Sequence, residues 1–267
     1  MSLRNQRKYV HVKYLWDDLV ANKLSELEKL VYRSNCLGSD LTITNTGGGN
    51  TSSKLVEIDP LTNEEQDILW VKGSGGDLRT VDVSGFSSLY LNKFQQLEGI
   101  YSRSELQGPK TEAEDYLVSL YGQTTFNLNP RATSIDTPFH ALIPYKHVDH
   151  MHPVSAITIA ACKNGSEVTK RIYGKRVLWT DWQRPGFDLS MIMKKACDNN
   201  SNLQGIIMGK HGIVNWADES KECYELTLEL IDIAAKYIKK YDKGIDSFGG
   251  PKYQDLGKSR KLEVLRE

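Results

Sequence analysis

Apolar positions at near-helical spacing open the chain. Leu15, Leu19, Leu24, Leu27, Leu30 and Val31 predict a helix within residues 14–37, with Gly38 as its C-cap. The period then falls to two. Residues 40–44 alternate as a strand, and residues 55–58 and 68–71 predict two more, joined by the turn Asp59-Pro60-Leu61-Thr62-Asn63. Helices are expected over 86–97, 111–121 and 134–144, where Pro138 falls in a first turn that tolerates it. A strand through His150 and His152 follows, running into the apolar stretch 154–161. Further on, the pattern predicts a strand at 176–179, a helix at 190–197 and a buried strand at 203–209. The longest helix runs from Asp218, a good N-cap, to Tyr241, with Tyr224, Leu228, Ile231, Ala235 and Ile238 as its apolar stripe. Residues 243–267 are rich in Gly, Pro and charge with weak periodicity. The expected organisation is one α/β or α+β domain over 1–243 and a tail, or the start of a linker, over 244–267.

Composition narrows the classes. With 39% hydrophobic and 25% charged residues in 267, neither disorder nor a fibre is indicated. Lys plus Arg equals Asp plus Glu at 34 each, whereas nucleic-acid binding through phosphates asks for a basic excess. The N-terminus is charged and lacks the apolar stretch of a signal peptide. No run approaches the roughly 18 apolar residues of a membrane span. A cytoplasmic location is expected. Cys36, Cys162, Cys197 and Cys223 show no paired spacing; Cys162 and Cys223 read as buried thiols.

The candidate chemistry centres on His150-Met151-His152. In a strand, i and i+2 point to one face, so the two imidazoles would converge. His211 stands alone after another apolar strand. Three imidazoles with one open position are the usual layout of a catalytic zinc, although a lone His-x-His is also a common hydrogen-bonded pair. Two glycine loops, Gly47-Gly48-Gly49-Asn50-Thr51-Ser52 and Gly73-Ser74-Gly75-Gly76 after Lys72, offer backbone amides and hydroxyls to an anion, and adjacent strands would bring them together. Neither has the spacing of a nucleotide-binding loop. Asp136 is the candidate acid or base; a helix N-terminus beside it would lower its pKa, and burial would have to raise it again. Simple helix capping is the alternative. His140, four residues on, could pair with Asp136. His147 is an odd number of residues from His150, so a strand turns it away.

Gly-Gly-Asn-Thr-Ser at 48–52, Lys-Gly-Ser-Gly-Gly-Asp at 72–77, Ser-Ile-Asp-Thr-Pro-Phe-His at 134–140, His-x-His at 150–152 and His-Gly at 211–212 together resemble the class II aldolase/adducin family, in family order and over most of the chain. Trp-Gln-Arg-Pro-Gly-Phe-Asp-Leu at 182–189 is similar to the aldolase half of bifunctional rhamnulose-1-phosphate aldolase/lactaldehyde dehydrogenases. The resemblance implies a single-domain α/β/α sandwich with a central, largely antiparallel sheet. It implies one zinc ion per subunit on His150, His152 and His211, with the substrate phosphate on Asn50, Ser52, Ser74, Gly75 and Ser134. Asp136 would be the catalytic residue, where simpler family aldolases carry Glu and the epimerase branch carries Asp. The implied activity is cleavage of a ketose 1-phosphate, rhamnulose 1-phosphate, to dihydroxyacetone phosphate and lactaldehyde. The alternatives are a pentulose-phosphate 4-epimerase and a non-catalytic, adducin-like scaffold. A homotetramer is implied, with a residue of a neighbouring subunit, often Tyr, completing each site.

Overall fold

Ser25 divides the first amphipathic stretch. Its hydroxyl accepts from the N–H of Glu28, whose carboxylate accepts from the N–H of Ser25; this capping box starts α2 (Glu26–Gly38). Ahead of it, among the described residues, is the short α1 (Asp18–Ala21), capped by Asp17. The single helix expected over 14–37 is thus two, because local side-chain bonds override the apolar period. Gly38 is the last helical residue and Ser39 the C-cap. A Cβ on Gly38 would lie 2.2 Å from the backbone nitrogen of Arg79, so close packing requires the glycine. The strand expected at 40–44 is a turn. The Asp40 carboxylate accepts from the N–H and hydroxyl of Thr42 and from the N–H of Lys13, pulling the chain round.

The computed structural model describes residues 8–104, 108–128, 131–246, 250 and 257–266. The charged N-terminus at 1–7 and residues 247–249, 251–256 and 267 of the expected tail lie outside the described residues. Seven strands form one sheet: β1 (Asn50–Ile58), β2 (Glu65–Lys72), β3 (Phe86–Tyr90), β4 (His147–Met151), β5 (Val177–Thr180), β6 (Gly205–Met208) and β7 (Gly212–Ala217), in the order β3-β2-β1-β4-β7-β6-β5. All neighbours pair antiparallel except β5 with β6. The helices after α2 are α3 (Leu91–Ser104), α4 (Lys110–Leu120), α5 (Thr137–Leu142), α6 (Val154–Ala161), α7 (Gly165–Tyr173), α8 (Phe187–Asn199), α9 (Ser220–Tyr241) and α10 (Lys258–Val264).

Strand alternation sorts the core. On one face, Met151, Ile207 and Ile213 pack with α6, α7 and α9; on the other, Val148, Ile206, Met208, Val214 and Trp216 pack with Phe139 of α5 and with α8. The result is the expected α/β/α sandwich with a largely antiparallel sheet. Residues 86–90, expected in a helix, instead pair with β2 from Ile68↔Tyr90 to Lys72↔Phe86, so sheet pairing outweighs the local pattern. The apolar run 154–161 is a helix, and α7 and β7 arise where the pattern assigns no element. Asp218 accepts from the N–H of Lys146 and leaves Glu219 as the N-cap of α9. Cys162, expected buried, is exposed just past the end of α6, while Cys223 is buried. Among the described residues, no helix is long and apolar enough to cross a membrane.

Arg33, wholly buried, fastens four elements behind the sheet. Its guanidinium donates to Asp149 Oδ1 at 3.0 Å, His147 Nδ1 at 3.0 Å, Ser220 Oγ at 2.9 Å and the carbonyl of Ser52 at 2.7 Å. Both partners of the Arg33–Asp149 ion pair have no side-chain exposure. Burial, then the Arg33 charge, brings His147 down to about 2, so it stays neutral. Arg33→Met leaves the Asp149 carboxylate uncompensated and is expected to cost about 3–5 kcal/mol. Urea unfolding measures this directly; a loss under about 1 kcal/mol would show the pair to be dispensable for stability.

Candidate metal centre and active site

The site is built at one end of the central strands. In the β1–β4 ladder Asn50 lies opposite His150, and in β4–β7 Met151 lies opposite Ile213. The C-terminal end of β4 therefore meets the starts of β1 and β7. Alternation sends Asp149 to the Arg33 face and His150 to the face of α5, where its ring meets Phe139 edge-on. His152 follows β4, and His211 closes the three-residue turn between β6 and β7. In that turn Lys210 takes φ 59°, a left-handed conformation uncommon for a residue with a side chain. The His211 N–H donates to Met208 and the Lys210 N–H to Ala160, fixing the turn from both sides.

His150, His152 and His211 thereby converge, with one nitrogen from each lying within 4.8 Å of the others. The Nε2 atoms of His150 and His152 are 2.9 Å apart. His150 Nδ1 lies 3.0 Å from the Ile213 carbonyl; that oxygen can only accept, so Nδ1 carries the proton and Nε2 keeps its lone pair. Burial lowers all three pKa values, that of His152 to about 4. Neutral imidazoles with converging lone pairs are the form that binds a cation. A Cβ on Gly212 would come 2.8 Å from Cδ2 of His152, so glycine there leaves the ring its room.

Asp136 stands beside this cluster, with Oδ2 4.0 Å from His150 Nε2. It occupies the N-cap position of α5 but makes no side-chain capping bond. Its Oδ2 instead accepts from Asn50 Nδ2 at 3.1 Å, and its Oδ1 is buried without a hydrogen-bond partner. Burial raises its pKa, against the opposing influences of His211, the Asn50 hydrogen bond and Lys72. The lowering expected from the helix end is thus outweighed by desolvation. A carboxylate with one buried oxygen lacking a donor and the other 4.0 Å from His150 Nε2, beside three converging imidazoles, fits a site made for a cation.

The other sequence candidates fall into two groups. Antiparallel pairing of β1 with β2 puts both glycine loops at the same end of the sheet. The second loop is held by the Ser74 N–H donating to Ala132, and it leaves Ser74 and Gly75 exposed. Lys72 is buried beneath it and donates to the Gly75 carbonyl at 3.0 Å. Arg131, which the sequence did not single out, reaches the Ser74 carbonyl at 3.4 Å. Asn50 Nδ2 also donates to Ser134 Oγ at 3.2 Å, so those two meet Asp136 in one cluster. Ser52 is different. It is fully buried, and its hydroxyl lies 2.7 Å from His140 Nδ1. His140 does not pair with Asp136; its Nε2 lies 2.9 Å from Asn50 Oδ1.

Fold and site together define a family. Residues 28–238 match the model of the class II aldolase and adducin N-terminal domain, and the chain belongs to that family. It is 40% identical over 255 residues to a Bacillus subtilis (strain 168) protein described as an uncharacterized oxidoreductase, YuxG. That match covers 95% of this chain and 36% of the other, so the chain spans about a third of that curated relative's length. The solved N-terminal class II aldolase domain of a conserved Thermoplasma acidophilum protein is 27% identical, with a TM-score of 0.70 covering 87% of this chain and 99% of that one. An L-fuculose 1-phosphate aldolase shares the fold at TM-score 0.55 and 16% identity, covering 91% and 97%. Class II aldolases typically depend on a divalent metal, in keeping with the histidine cluster.

Proposed function

We propose that this chain is a zinc-dependent aldolase that cleaves a ketose 1-phosphate, L-rhamnulose 1-phosphate, to dihydroxyacetone phosphate and L-lactaldehyde. The observation that carries the reading is the convergence of three neutral imidazoles beside a largely buried carboxylate whose Oδ1 has no partner. His150, His152 and His211 would hold the zinc and leave one coordination position open, as a catalytic site requires. When bound, the metal supplies Lewis-acid polarisation of the substrate's C2 carbonyl and C3 hydroxyl oxygens.

The chain's own residues do the rest. Ser74, the Gly75 amide and Ser134 bind the phosphate with Asn50, and the Lys72 charge lies beneath the loop. Ser52, sealed behind His140, supports this group without touching substrate. Phosphate binding remote from the C3–C4 bond sets its position. As the C3–C4 bond breaks, the C4 hydroxyl loses its proton and becomes the aldehyde, and Asp136 in its acid form gives a proton to the carbon that becomes C3 of dihydroxyacetone phosphate; in the reverse direction its carboxylate removes that proton. A pKa raised by burial suits a group that must work in both forms near neutrality.

Aspartate at 136, the residue that the resemblance places in the epimerase branch, favours one second reading: a pentulose-phosphate 4-epimerase using the same bond cleavage. We place the zinc domain at 1–243 with a tail or linker at 244–267, in a cytoplasmic homotetramer whose neighbouring subunit completes the site. A ketose-phosphate panel, with and without zinc, tests the function. Metal-dependent release of dihydroxyacetone phosphate from L-rhamnulose 1-phosphate is expected. Inversion at C4 of a pentulose phosphate would select the epimerase, and no turnover of any ketose phosphate would reject both.

A further inference from the structure

We infer that His140 is a positioning residue: as the neutral Nε2–H tautomer it orients the Asn50 amide so that its NH2 group faces Asp136 and Ser134. The inference rests on the reading of Asp136 as the proton-transfer residue. Four side chains form one line of contacts. Ser52 Oγ lies 2.7 Å from His140 Nδ1, His140 Nε2 lies 2.9 Å from Asn50 Oδ1, and Asn50 Nδ2 lies 3.1 Å from Asp136 Oδ2. Ser52 and His140 have no exposure and Asn50 has 5%, so bulk water cannot substitute for these three.

With Asp136 in its carboxylate form, donor and acceptor types fix the direction of this line. An ionised Asp136 only accepts, so the Asn50 group facing it must be the NH2. Oδ1 then points back at His140 and needs a donor there, which requires the proton on Nε2. Burial keeps the imidazole neutral, so Nδ1 carries a lone pair and accepts from the Ser52 hydroxyl. With the proton on Nδ1 the order reverses. Nε2 would then face Asn50 Oδ1 with two acceptors in contact, or the amide would flip and set its oxygen against the carboxylate. Either arrangement leaves a buried acceptor opposed to another, with no hydrogen bond between them. His140 lies on α5, whose N-cap is Asp136, so the same short helix carries the reacting group and the group that orients its partner.

Nitrogen-15 NMR of the histidine side chains in the wild-type chain tests the tautomer without substrate, metal or mutation. A pyrrole-type Nε2 and a pyridine-type Nδ1 are expected for His140; a proton on Nδ1 or a charged ring would overturn the inference. His140→Phe tests the consequence. It should bind metal as wild type does and lower kcat about 10- to 100-fold with a smaller rise in KM, the usual cost of removing a supporting partner. A folded His140→Phe protein with kcat within about twofold of wild type would overturn it. Absence of turnover in the wild type would count against the functional reading, and the tautomer measurement would still decide the hydrogen-bond direction.

Discussion

Asp136→Asn is expected to lower kcat for ketose-phosphate cleavage by about 10²- to 10⁴-fold, the usual loss when a positioned acid or base is removed. Asparagine keeps the shape and cannot exchange the proton. Metal content should be unchanged, because the carboxylate stands 4.0 Å from His150 Nε2 and outside the three-imidazole cluster. Stability supplies a separate check. Burial raises the Asp136 pKa in the folded chain. A carboxyl raised in this way contributes stability below its unfolded pKa, and that stability is lost as pH rises through the folded value. At neutral pH the charged form therefore weighs against folding, and the metal-free Asp136→Asn protein should melt at or above wild type. Kinetics, metal analysis and a melting curve on one variant separate the roles. Unchanged kcat would remove Asp136 from the chemistry, and loss of metal would make it a ligand.

His152→Ala should abolish both metal retention and cleavage while preserving the fold. The His152 ring is only partly buried, so its removal opens little cavity, unlike that of the fully buried His150. Loss of one of three protein ligands removes the geometry that holds the ion. With several kcal/mol of charge stabilisation lost, kcat should fall by on the order of a thousandfold or more. Activity within about tenfold of wild type would refute the ligand assignment. A circular dichroism spectrum and melting curve distinguish this outcome from unfolding.

The convergence of the histidines was legible because strand alternation is a strict period. His150 and His152 share a face, and His147, at odd spacing, turns away from them as expected, to meet Arg33. His211 was legible as an imidazole at a strand end, but the left-handed Lys210 that aims it was not. Asp136 is legible as the candidate, and so are the two opposing influences on its pKa, a helix end and burial; only the three-dimensional structure decides for burial. Helical spacing allows His140 to pair with Asp136, yet the carboxylate at the helix start points to Asn50 on β1. Arg33 gave no signal, since an arginine in an amphipathic helix usually lies in solvent; its burial depends on Asp149 and Ser220, far away in sequence. The same limit applies to the fold. Long periodic stretches such as α9 declare themselves, whereas residues 86–90 became β3 through pairing with β2, which no local pattern contains.

The central claim is that His150, His152 and His211 form a zinc centre. Its most direct test is metal stoichiometry of the purified chain after reconstitution with zinc, measured beside His152→Ala. The expected result is about one equivalent of zinc per wild-type chain, with most of it lost in the variant. Less than about a tenth of an equivalent in the reconstituted wild type, or equal retention by both proteins, would contradict it.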